Sequence, residues 1–239
     1  MATILLLSTA DTELLAARAA DSGYRTANPA RTDPGDLGGL LEGVDIAVVR
    51  LLGGSEAWPG GLERLRADGV PLVALGGEAA PDAEMIAHST VPSGVATDAH
   101  AYLREGGIAN LRELARFLSD TVLLTGEGFQ PPQAMPEYGV HEIAPRAGER
   151  PAPRPSGVAP TVAVVFYRAH ELSGNTAFVD TLCHAIEDAG GAPLPVFSGS
   201  LRGLTRDSHP GLFEILDRAD AVITTVLAAG GAVAADASG

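Results

Sequence analysis

Lysine is absent from this chain, whose 16 basic residues are all arginine. A P-loop needs a lysine to reach the β- and γ-phosphates, and a Schiff base needs a lysine amine, so neither chemistry can be built here. Cysteine is almost absent too. The lone Cys183 has no partner for an intramolecular disulfide and excludes thiolate-cluster zinc or iron–sulfur sites within the chain. No apolar run approaches the roughly 20 residues that span a bilayer, and no basic segment precedes the short apolar stretch at residues 4–7. A membrane partner and a secretion signal are therefore not expected, and the chain reads as cytoplasmic. With 30 acidic residues and a net charge of −14, its surface repels phosphate backbones, so nucleic acid is not an expected partner.

What is present is an alternation of strand and helix signals, the mark of a parallel sheet with helices on its faces. Strands are expected at residues 3–8, 45–52 and 71–76. Ser8, Thr9 or Asp11 would cap a helix ending near Gly23. Residues 98–124 read as helix, with Leu111, Leu114, Ala115, Leu118 and Val122 forming one apolar stripe. This bounds a first domain at 1–124. Residues 131–160 hold eight of the 17 prolines, so 125–160 reads as a Pro-rich linker. Its Arg-Pro-rich end at 150–155 is expected to be extended and exposed, while residues 138–143 can dock as an edge strand.

The rhythm restarts at 161. A strand at 161–167 and a loop lead to a helix at 176–189, capped by Ser173 or Asn175 and ended by Gly190, with Phe178, Leu182, Ala185, Ile186 and Ala189 along one side. A strand at 194–198, a helix at 210–218 and a strand at 221–225 follow, before a Gly-, Ala-, Ser- and Asp-rich stretch from 228. The fold class expected is α/β, built of parallel-sheet, doubly wound (flavodoxin/Rossmann-like) units. The second unit, 161–239, is expected to be truncated, because three strands and two helices bury little core.

Ligands of open parallel sheets sit outside the carboxyl ends of the strands. The candidate loops are residues 8–11, 52–55, 76–82, 168–175 and 198–201. The richest is YRAHELSGNT at 167–176, which places Arg168, His170, Asn175 and Thr176 ahead of a helix, where cation, imidazole, amide and hydroxyl suit a carboxylate-bearing ligand. Plain helix capping accounts for the same residues. His184 lies one turn from Asp180 and from Asp188, a spacing open to a metal but also usual on a solvated polar face. His88, His100, His141 and His209 have no two-ligand spacing. Trp58 is either a core anchor or a pocket wall. No Gly-x-Gly-x-x-Gly fingerprint and no Gly-x-Ser-x-Gly elbow occurs, which removes dinucleotide and hydrolase readings.

Four blocks, ILLLSTADTELL (4–15), VRLLGGSEAW (49–58), the stretch 102–120 with its Glu-Gly-Gly and Asn-Leu-Arg, and VFYRAHELSGNTAFVDTLCHAIEDAGGAPLPVFSGSL (165–201), together resemble the large subunit of aerobic, ATP-dependent cobaltochelatase. That family is related to the large subunit of magnesium chelatase. The resemblance implies the N-terminal portion of a corrin-binding subunit, with Co(II) as substrate ion inserted into hydrogenobyrinic acid a,c-diamide. It also implies ATP and Mg(II) handled by two smaller AAA+-type partner subunits, and a fragment inactive by itself. Arg168, His170, Asn175 and Thr176 match the family block position by position and are the expected substrate-binding residues; no catalytic residue and no protein metal ligand is assigned. Two alternatives stay open, a magnesium-inserting porphyrin-binding subunit and a non-enzymatic α/β small-molecule-binding module. A receiver-like version of the latter lacks the lysine and the acidic pair after the first strand.

Overall fold

A computed structural model describes residues 2–146, 159–199 and 205–226. The Arg-Pro-rich stretch at 150–155 and the residues from 228 onward lie outside the described residues. The chain divides into two compact units, Met1–Met135 with Leu172–Gly174, and Pro136–Glu171 with Asn175–Gly239.

The first unit runs β1 (Ile4–Ser8), α1 (Asp11–Ala19), β2 (Tyr24–Ala27), α2 (Leu37–Leu41), β3 (Ile46–Leu51), α3 (Gly61–Asp68), β4 (Leu72–Gly76), α4 (Ala83–Ala87), α5 (Ser93–Glu105) and α6 (Ile108–Val122). Its four strands are all parallel, in the order β2-β1-β3-β4. Strands β1, β3 and β4 are buried at every position, as near-continuous apolar runs require when helices cover both faces. Ile4 and Leu6 join Leu14, Tyr102, Leu111, Leu114 and Leu118 on one face. Leu5 and Leu7, pointing the other way with the two-residue period of a strand, join Leu37, Leu62, Leu65 and Trp58. Trp58 is thus a core anchor, its indole nitrogen donating to the Thr32 carbonyl at 3.1 Å. The edge strand β2 escapes a hydrophobicity reading because all four of its residues are only half buried.

Three expectations need correction here. The expected single helix over 98–124 is two helices, broken where Gly106 (φ 68°, ψ −168°) and Gly107 (φ 87°, ψ 155°) adopt backbone angles open only to glycine. Asn110 secures the corner, its amide donating to the Gly106 and Gln133 carbonyls while its oxygen accepts from the Gln133 amide. Tyr102 similarly donates to the Gln130 carbonyl at 2.6 Å, so the prolines of residues 125–135 belong to a segment bonded onto α5 and α6 within the first unit. At the start of α1 the N-cap is Ala10, with no side-chain cap; Ser8 instead accepts from the Ala10 amide.

The second unit contains β5 (Tyr138–Val140), β6 (Thr161–Tyr167), residues 168–171 of α7 (Arg168–Ser173), α8 (Ala177–Asp188), β7 (Ala192–Ser198), α9 (Pro210–Leu216) and β8 (Ala221–Thr224). Its sheet has the order β5-β7-β6-β8. Strands β7, β6 and β8 are parallel, whereas β5 is antiparallel to β7. Val164 and Phe166 pack with Val179 and Cys183 on one face; Ala163, Val165 and Val196 lie on the other, where Leu212 closes over Val196. The α8 stripe is therefore rotated from the expected one. Val179 and Cys183 form its buried line, while Ala185 and Ala189 face solvent. Gly190 (φ 85°) ends the helix as expected, with its amide on the Glu187 carbonyl and that of Gly191 on Ile186. Among the described residues no helix is long and apolar enough to cross a membrane.

Candidate functional site

A doubly wound sheet opens a crevice at the carboxyl ends of the two strands between which its winding reverses. In the first unit these are β1 and β3, and a side chain already occupies their ends. Arg50, 7 % exposed, donates to the carbonyls of Gly76 (3.2 Å), Gly77 (3.1 Å) and Leu103 (3.1 Å) and pairs with Glu13. The Ser8 hydroxyl donates to the other Glu13 oxygen at 2.7 Å. Burial pushes the Glu13 carboxyl up from its ordinary value, against the opposing pull of Arg50 and Ser8. Buried His100 lies 2.9 Å from the Glu78 carbonyl oxygen through Nε2; burial, and secondarily the charges of Arg50 and Arg104, hold its imidazole below the usual range. Of the loops proposed on this unit, 76–82 thus meets the guanidinium directly through Gly76 and Gly77, and 8–11 reaches it through Ser8 and Glu13. No sequence signal marked Arg50, since an arginine ending a strand reads as exposed.

In the second unit the reversal lies between β6 and β8, and the residues expected to bind a ligand follow β6 directly. The expected loop is instead the short helix α7, so Ser173 is a buried helical residue and not a cap. The N-cap of α8 is Thr176, without a side-chain cap bond. The Arg168 Nε donates to the Pro136 carbonyl at 2.7 Å. His170 packs edge-on against Phe178 at 5.0 Å and lies 3.4 Å from the Asn175 amide nitrogen; the Asn175 backbone amide donates to the His170 carbonyl. The structure therefore brings His170 and Asn175 together, while Thr176 stands apart as the turn into α8. A half-buried cation and imidazole beside an exposed amide can meet an anionic group.

Beside them sits a cluster whose members no sequence spacing connects. His141, following β5, lies between two carboxylates, its Nδ1 2.8 Å from Glu171 of α7 and its Nε2 3.1 Å from Asp180 of α8. The Phe166 ring meets it edge-on at 5.8 Å. Asp180 also accepts from the Ala144 amide at 3.0 Å. Arg146 donates to Asp188 and to the His184 carbonyl. Asp180 is thus engaged with His141, while Asp188 and the His184 backbone carbonyl share Arg146, and no group of three His, Cys, Asp or Glu side chains able to hold a metal occurs among the described residues. Cys183 is buried, and burial, followed by the charges of Asp180 and Glu187, raises its thiol to about 11.

Comparison with known proteins completes the picture. The family described as CobN/Magnesium Chelatase matches residues 100–238. Two curated relatives, both aerobic cobaltochelatase subunits CobN, are 32 % identical to the chain. The one from Pseudomonas aeruginosa aligns over 68 % of this chain and 14 % of its own length; the one from Sinorhizobium sp. aligns over 84 % and 18 %. The chain thus spans less than a fifth of either relative. The solved structure of the catalytic subunit of cobaltochelatase from Mycobacterium tuberculosis is 51 % identical with a TM-score of 0.82, covering 96 % of this chain and 18 % of that one. Matched over more than half its length by one family, and sharing the fold of a solved cobaltochelatase subunit, the chain belongs to the CobN/magnesium chelatase family.

Proposed function

We propose that this chain is the N-terminal portion of the corrin-binding large subunit of cobaltochelatase, the cytoplasmic enzyme that inserts Co(II) into hydrogenobyrinic acid a,c-diamide in cobalamin biosynthesis. The observation that carries this reading is the 51 % identity, over 96 % of the chain, to a cobaltochelatase catalytic subunit. ATP and its Mg(II) are handled by two smaller AAA+-type partner subunits, a division of labour that agrees with a chain holding no lysine. By itself the chain neither hydrolyses ATP nor inserts cobalt. Its units are a first domain, a Pro-rich connection and a second α/β domain.

Arg168, His170 and Asn175, with Thr176 at the helix turn, contribute to the corrin site. The ring keeps several side-chain carboxylates, and an arginine fork with neighbouring amide donors favours such groups. The test is to titrate hydrogenobyrinic acid a,c-diamide into this chain and into the full-length subunit. A charge-assisted hydrogen bond contributes about 1.5 to 3 kcal/mol, so Arg168→Ala should weaken full-length binding by about 10- to 150-fold. Unchanged corrin affinity and chelation rate in both Arg168→Ala and His170→Ala, with the protein folded, would overturn the site. ATP turnover by the purified chain, abolished by a point substitution in it, would overturn the division of labour.

A further inference from the structure

The helix α7, six residues long, is too short to hold its own orientation. Two contacts reach its second-unit residues, 168–171, from the segment that contains β5. The Pro136 carbonyl accepts from Arg168, and His141 meets Glu171. The far side of the His141 ring meets Asp180 in the first turn of α8. Carboxylate oxygens only accept, so both contacts are hydrogen bonds at once only when both ring nitrogens carry a proton. The charged groups facing the ring are Glu171 from α7 and Asp180 from α8; β6 presents only the edge of Phe166. We infer that His141 is a protonation-dependent positioning residue. As an imidazolium it ties Glu171 to Asp180 and thereby sets α7, with Arg168 and His170, against α8. When the ring loses its second proton, one of the two ties is lost and α7 loosens. Its consequence for ligand binding rests on the reading of Arg168 and His170 as corrin contacts; the placement of α7 does not.

The experiment is amide hydrogen exchange on the purified chain over a series of pH values, corrected for intrinsic exchange. The probes are the amides of Ala144 and Asn175, bonded to Asp180 and to the His170 carbonyl. A tie of this strength changes local opening by roughly ten-fold, so protection at both probes should fall by about that factor as the ring deprotonates. His141→Phe should be open at every pH. His141→Arg, a permanent cation with several donors, should restore protection and make it independent of pH. Nitrogen NMR of the wild-type ring should show both nitrogens protonated wherever α7 is protected. Protection that ignores pH in the wild type, or a singly protonated ring while α7 is protected, overturns the inference. Arg168→Ala in the corrin titration tests the site separately: if it binds normally while exchange behaves as expected, the ligand reading fails and the positioning role of His141 stands.

Discussion

Arg50 at the end of β3 and Glu13 in α1 form an ion pair at the carboxyl end of the first sheet, with their side chains only 9 % and 15 % exposed. Removing one partner of such a pair strands the other. Arg50→Ala leaves a buried carboxylate and three carbonyls without their donor and is expected to cost about 3 to 5 kcal/mol. Glu13→Gln keeps an acceptor for Arg50 and should cost less than half as much. Urea denaturation of the three proteins checks this, and a loss under about 1 kcal/mol in Arg50→Ala would show that the pair is relaxed by solvent.

His100 makes stability fall on the acid side. Burial holds its folded-state imidazole below the usual value, so the unfolded chain binds a proton that the folded chain refuses, and stability rises with pH across that interval. The contribution is complete above about pH 6.5, where the unfolded imidazole is neutral, and is lost as the pH drops below it. Urea midpoints at pH 7, 6 and 5 should decline in the wild type and decline less in His100→Gln, which keeps a donor for the Glu78 carbonyl. Equal slopes in both would assign the acid loss to other groups.

The thiol of Cys183 should be inert in the folded chain. It is fully buried and raised to about 11, so both access and thiolate are scarce at neutral pH. Labelling by a disulfide reagent at pH 8 should await unfolding, giving one equivalent in urea and almost none without it. Rapid native labelling would mean that α8 opens from β6.

At the corner between α5 and α6, Gly106→Ala and Gly107→Ala each force a side chain into a conformation costing about 1 to 3 kcal/mol. A Cβ at Gly107 also meets Leu172 and Met135 side chains at 3.6 Å, ordinary contact distances, so backbone strain accounts for the loss. Thermal melts should show comparable drops for the two variants. A neutral result at either position would mean that the corner relaxes into another turn.

Most strands were legible in the sequence: β1, β3, β4 and β6 as near-continuous apolar runs, β7 and β8 as shorter runs in the restarted alternation, and β5 as an edge strand docking from the Pro-rich stretch. β2 was illegible because Tyr24–Ala27 mixes polar and apolar residues on a half-covered edge. The periodicity of α6 was read correctly, yet the same pattern hid the break before it, since two glycines do not disturb a stripe that starts after them. The rotated stripe of α8 reflects alanine, which fits either surface or core and so carries little register information. Of the candidate site, composition could point to the Arg168 to Thr176 segment but not to α7, because a six-residue helix has fewer than two turns in which to show a period. His141 was invisible because its partners lie 30 and 39 residues away, and only the sheet that returns the chain beside β7 brings them together.

That sheet also dictates an order of assembly. β5 comes before every other strand of its unit in the chain, yet its partner is β7, with Tyr138 opposite Ser198 and Val140 opposite Val196. During synthesis β5 is made before β6, α7 and α8, and so well ahead of β7, the strand to which it bonds among the described residues. The antiparallel edge thus joins the first-made strand of its unit to a later one, across the whole β6–α8 stretch. Loop closure of this kind slows folding more than it lowers stability.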